Sequence, residues 1–81
     1  MTIEEIIESA DPTALSCDGF DEAIIGKDTN GRIVYDINEM IQVLVRNDGM
    51  KEEVAIEYLE FNTLYAYVGE MTPVFIYLET Q

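Results

Sequence analysis

Three glutamates spaced by four and then three residues, Glu53, Glu57 and Glu60, are the side chains of this sequence best arranged to do chemistry. On one face of a helix, carboxylates held close together can share a proton or bind a divalent cation. That chemistry needs the groups pressed against each other, whereas three glutamates on a solvated helix repel and separate, which is the ordinary arrangement. Other reactive candidates are few. Cys17 is the sole cysteine and the chain has no histidine. With no imidazole and no neighbouring cation to hold its thiolate, Cys17 reads as a small bystander in a loop. Asp28-x-Asn30-Gly31 imitates part of a calcium loop, but Gly26 and Ile37 stand where its first and twelfth ligands belong. No Gly-rich phosphate cradle follows a strand pattern. An enzyme is therefore disfavoured, no cofactor or metal is expected, and no residue is assigned a catalytic role.

The charge balance narrows the classes further. Seventeen acidic residues against Lys27, Arg32, Arg46 and Lys51 leave a net charge of −13. Such a chain repels nucleic acid and anionic membrane and has no basic stripe with which to displace counterions. Its natural complement is a protein with a basic surface. Apolar residues make up 48% of the 81, and glycine and proline together supply only 5 and 2, so one folded domain is expected and not an acidic tail. A core this small leaves room for a homo-oligomeric interface. The acidic start MTIEEIIES lacks a basic leader, and no apolar run approaches the roughly 18 to 20 residues of a membrane span. A cytoplasmic, non-membrane setting is expected, and the unpaired cysteine agrees with it.

The elements that must position these residues are legible as local signals. Thr2 and Glu5 have capping-box spacing ahead of Ile3, Ile6, Ile7 and Ala10, which predicts a short helix over 3–9 ended by Asp11-Pro12. Residues 22–27 and 32–35 are strand-rich in type and flank the turn Asp28-Thr29-Asn30-Gly31, a hairpin. Asp36 starts a second helix over 37–48, with Ile37, Met40, Ile41, Leu44 and Val45 on a broad apolar face and a stop at Asp48-Gly49. A third helix over 52 to about 62 places Val54, Tyr58, Phe61 and Tyr65 on a face expected to meet the core, with Glu53, Glu57 and Glu60 on another side. Lys51 cannot cap this helix, so its start is expected to fray or to pair Lys51 with a carboxylate. Ile56 falls towards the Glu60 side and must be covered by another segment or offered to a partner. Residues 74–78 read as a third strand, apolar on both faces and so expected to be central or covered on both sides. The expected architecture is α+β, a three-stranded antiparallel sheet in the order β-β-α-α-β packed by two helices, with the short first helix at the side.

The residues Phe20-Asp21-Glu22-Ala23-Ile24-Ile25-Gly26, Val34-Tyr35-Asp36, Asp48-Gly49-Met50, Glu53, Ala55, Glu57-Tyr58, Glu60-Phe61-Asn62, Ala66-Tyr67-Val68-Gly69-Glu70 and Thr72-Pro73 together carry a likeness. Over about residues 19–76 the chain resembles a family of short, mostly uncharacterised bacteriophage and prophage proteins. The resemblance implies a phage context and a host-cell cytoplasmic setting; it brings no site. Lys51 departs from the small capping residue expected at that position.

The leading expectation is a non-catalytic protein-binding module. In a phage context it would inhibit a host nucleic-acid-handling or defence protein, of anti-CRISPR or anti-restriction type, with carboxylates standing where DNA phosphates would. The partner-binding candidates are Glu53, Glu57, Glu60, Ile56 and Tyr67. The alternative is a structural or assembly protein that forms a homo-oligomer through apolar surface and Tyr58, Tyr65, Tyr67 and Tyr77. Calorimetric titration with calcium, magnesium and a nucleotide panel is expected to give no saturable heat at micromolar concentration. A stoichiometric ion held by Glu53 and Glu57 would instead reopen the enzyme class.

Overall fold

Thr2 begins the first helix as its spacing predicts: its hydroxyl accepts from the Glu5 amide at 3.1 Å, while Glu5 accepts from the Thr2 amide at 3.0 Å. The computed structural model describes residues 2–64 and 69–78. In chain order it contains α1 (Ile3–Ser9), a 3₁₀ turn (Asp21–Ala23), β1 (Ile24–Lys27), β2 (Ile33–Asp36), α2 (Ile37–Asp48), α3 (Glu52–Leu59), a wider π-helical turn (Glu60–Leu64) and β3 (Val74–Ile76). The fold is α+β. Helix α1 is too short to persist alone, and it is held by burying Ile6 and Ala10 and by packing against β1.

The hairpin turn is built by Asp28. Its carboxylate accepts from the amides of Asn30 and Arg32, each at 2.9 Å, and pairs with the Arg32 guanidinium. Burial pushes the Asp28 carboxyl up, but the bonds from Arg32 and Asn30 outweigh it and hold the group below its ordinary value. Gly31 closes the turn at φ 83°, and a Cβ there would stand 2.8 Å from Asp11 Cβ. Glycine is required twice over, for the left-handed backbone and for the close approach of the chain leaving α1. The Asp11 amide donates to Gly31 O at 3.0 Å, which ties the first loop to the hairpin.

Strand β1 is shorter than the predicted 22–27, because its first residues coil into the 3₁₀ turn that buries Ala23 beside Phe20. A bulge between Ile24 and Gly26 then turns Ile25 out to solvent. The sheet order is β1-β2-β3, with β1 antiparallel to β2 and β3 parallel to β2. The sheet is thus mixed and not purely antiparallel. Two helices intervene between β2 and β3, long enough to carry the chain back so that both strands run the same way. The expectation that 74–78 lies centrally is corrected too: β2 is central, β3 is an edge, and Ile76, Tyr77 and Leu78 are exposed. A run apolar on both faces fits a doubly covered strand or an edge strand that offers one face to a partner, and periodicity does not separate the two.

Helix α2 buries Ile37, Met40, Ile41, Val43 and Leu44, a width explained by its contacts with α3, β2 and the 3₁₀ turn together. Asp36 caps it by accepting from the Asn38 amide at 3.0 Å, and Gly49 ends it in the left-handed conformation. Glu39 does not close a box at this start; it reaches Arg46 instead.

At the centre lies Tyr35 on β2, fully buried, its ring centroid 5.7 Å from that of Phe75 on β3. Its hydroxyl accepts from the Cys17 amide at 2.7 Å, across the otherwise irregular segment between α1 and β1. Burial raises the Tyr35 phenol to about 12. Because the folded-state value lies above the ordinary one of about 10, its contribution is full below about pH 10 and lost as pH rises through the folded value. In melts from pH 8 upward, the Tm of the unmodified chain should fall beyond about pH 10. Tyr35→Phe should start about 1–3 kcal/mol less stable, its Cys17 amide stranded, and should decline less steeply over that window.

Candidate functional site

Helix α3 buries Ala55 and Leu59, four residues apart and both fully inaccessible, against α2 and the core. Alanine at the first of these positions lets the two helix backbones approach closely, and Leu59 fills the space beyond it. Ile56 is half-buried and packs on the same core. It is therefore partly covered by the core and partly accessible. Tyr65 and Tyr67 lie outside the described residues.

The face expected to be buried faces water. Val54 is 49% exposed, Tyr58 43% and Phe61 88%. The helix carries two apolar stripes, and only one can be turned inward. The Ala55 and Leu59 stripe is chosen because it joins a small residue to a long one where α2 lies close, whereas Tyr58 and Phe61 would hold the helices apart.

Glu53, Glu57 and Glu60 are all exposed. Among the described residues no group of three or more Cys, Asp or Glu side chains is gathered closely enough to hold a metal ion. The order of residues instead creates a different juxtaposition. Each glutamate immediately precedes an apolar residue in the pairs Glu53-Val54, Glu57-Tyr58 and Glu60-Phe61. One step along a helix is a rotation of about 100°, so a row of carboxylates runs alongside a row of exposed apolar side chains. Asn62 Nδ2 donates to Tyr58 O at 2.9 Å where α3 passes into the π-helical turn. At the other end Lys51 supplies no side-chain cap, while Glu52 and Glu53 complement the dipole of the first turn.

The few cations are turned onto the chain's own groups. Arg46 Nη2 lies 2.9 Å from Glu39 and 3.2 Å from Glu22, Arg32 pairs with Asp28, and Lys27 Nζ donates to Ser9 O at 3.0 Å. Lys51 is exposed, and among the described residues no ion pair engages it. Among the described residues no ion pair engages the acidic row on α3. Cys17 is half-buried, and desolvation pushes its thiol up, away from the reactive thiolate.

Helical periodicity grouped Val54, Tyr58 and Phe61 on a face expected to meet the core, although Tyr58 was also among the tyrosines that could offer interface surface; Val54 and Phe61 were not read as surface. The available signal was the paired pattern itself, with a second apolar stripe at Ala55 and Leu59. Urea unfolding tests the orientation: Leu59→Ala should cost about 2–5 kcal/mol. Val54→Ala and Phe61→Ala should stay within about 0.5 kcal/mol of the unmodified chain, and core-sized losses there would reverse the assignment.

No family model matches this chain, and neither the curated proteins nor the solved structures contain a significant match to it, so the role of this surface has to be read from its own residues.

Proposed function

We propose that this protein is a small, acidic, non-catalytic binding module that docks on a basic protein surface. In the phage setting implied by its sequence resemblance, it inhibits a host nucleic-acid-handling or defence protein in the host cytoplasm. The observation that carries this reading is the exposed Val54, Tyr58 and Phe61 stripe with Glu53, Glu57 and Glu60 beside it. Binding energy at protein interfaces concentrates in a few apolar or aromatic anchors, and charges around them steer the encounter and select the partner. Phe61 and Tyr58 have the character of anchors. The glutamates have the character of the steering rim, and the net charge of −13 extends their field. A partner that normally holds nucleic acid would present basic residues where phosphates go, and the carboxylates would meet them there. Among the described residues no helix is long and apolar enough to cross a membrane.

A second reading is favoured by the same exposed stripe: a homo-oligomer in which two copies bury Phe61 against each other. It sets two uncompensated acidic rows side by side, at a repulsive cost that a basic partner does not incur.

Affinity capture from bacterial extract at low and high salt separates the two. Binding to a nucleic-acid-handling protein should fall steeply as salt screens the field, and Glu53→Lys/Glu57→Lys/Glu60→Lys should abolish it with the circular dichroism spectrum unchanged. Phe61→Ala should weaken the same complex by about 2 kcal/mol or more. A salt-insensitive dimer in sedimentation, as the sole complex formed, would replace the proposal with the oligomer reading.

A further inference from the structure

Beside the exposed stripe of α3 the surface is concave. Two hollows of about 390 Å³ and 250 Å³ meet at Asp18, Phe20 and Tyr58, which line both. Leu15 and Phe75 help to line the larger, and the end of α2, with Asp48, lines the smaller. Among the described lining residues the only charged side chains are Asp18 and Asp48. The last turn of α2 adds to them the negative end of its dipole. The trough therefore combines apolar and aromatic walls with uncompensated negative charge, and among the described residues no ion pair engages Asp18 or Asp48.

Asp18 is held in place from below. The Phe20 amide donates to Cys17 O at 3.2 Å, and Gly19 at φ 87° takes the left-handed third position of this tight turn. The base of the turn is fixed in turn by the bond from the Cys17 amide to Tyr35. Its carboxylate thus sits on a turn anchored to the central strand. Such preorganisation lowers the ordering cost of binding.

We propose that this trough receives an arginine side chain of the protein partner, the guanidinium on Asp18 and its flat face against Tyr58. The proposal rests on the reading that the chain binds a basic protein surface, and it names the residue type and the place. Arginine fits better than lysine because its planar fork matches a carboxylate and stacks on an aromatic ring, and because its weaker hydration makes entry beside Leu15 and Phe75 less costly.

The test is an amide-resolved NMR titration of the full chain at low salt with acetyl-Leu-Arg-Leu-amide and with its neutral citrulline counterpart. The arginine peptide should shift the amides of Asp18, Phe20 and Tyr58 saturably, and the citrulline peptide should bind about tenfold more weakly. Asp18→Asn should weaken the arginine peptide by a similar factor with the rest of the spectrum unchanged, and Asp18→Glu should retain most of the affinity. Equal affinity for both peptides, indifference to Asp18→Asn, or no saturable shift up to about 10 mM peptide would each overturn the proposal. Shifts confined to Glu53, Glu57 and Glu60 would remove the trough and leave the proposed function standing. Peptide binding in the trough, together with undiminished capture by the Glu53→Lys/Glu57→Lys/Glu60→Lys chain, would keep the trough and remove the role given to the acidic row.

Discussion

The contact that ties the central strand to the long loop before β1 is the one between the Tyr35 hydroxyl and the Cys17 amide. Tyr35 occupies the central strand, so its ring faces Phe75 on one neighbouring strand while its polar tip reaches the long loop between α1 and β1. A buried phenol needs a partner, and the part-buried Cys17 amide needs an acceptor. One bond answers both needs. It fixes the loop that presents Asp18, and it binds the sheet to a segment that otherwise has little regular structure of its own. In a domain this small, where each buried side chain is a large share of net stability, such a cross-tie outweighs its nominal energy.

Charge is organised by a similar economy. Three of the four cations neutralise carboxylates or cap a helix carbonyl within the fold: Arg46 joins the 3₁₀ turn to α2, Arg32 tightens the hairpin, and Lys27 ties β1 to the end of α1. Exposed pairs of this kind contribute little stability each. Their larger effect is to leave Lys51, at the start of α3, as the cation beside the acidic row, and among the described residues no ion pair engages it.

The exposed stripe and the small core are two sides of one constraint. With Ala55 at the helix contact, α3 can lie close on α2 and give a tight core without its larger aromatic side chains. Those side chains are then available on the surface, where rigid aromatics offer contact area at small entropic cost. The same choice places Tyr58 at the junction of stripe and trough, so the two proposed contact features are parts of one continuous face.

What the sequence by itself determined was everything governed by groups a few residues apart. The reciprocal Thr2 and Glu5 cap, the Asp36 cap, the Gly49 stop, the glycine of the hairpin and the extents of α1 and α2 follow from local hydrogen-bonding and backbone chemistry, and they are found where that chemistry puts them. The position of the acidic row on an exposed helix was legible for the same reason. Tertiary structure decided the rest. Whether Val54, Tyr58 and Phe61 or Ala55 and Leu59 turned inward depended on how closely α2 could approach, and Ile56 became half-buried as a result of that choice. The direction and edge position of β3 depended on where two intervening helices returned the chain. Asp18 became part of a trough because Tyr35, eighteen residues beyond Cys17, holds the base of its turn. Periodicity reports that a face is apolar; only the shape of the opposing surface determines whether that face is buried.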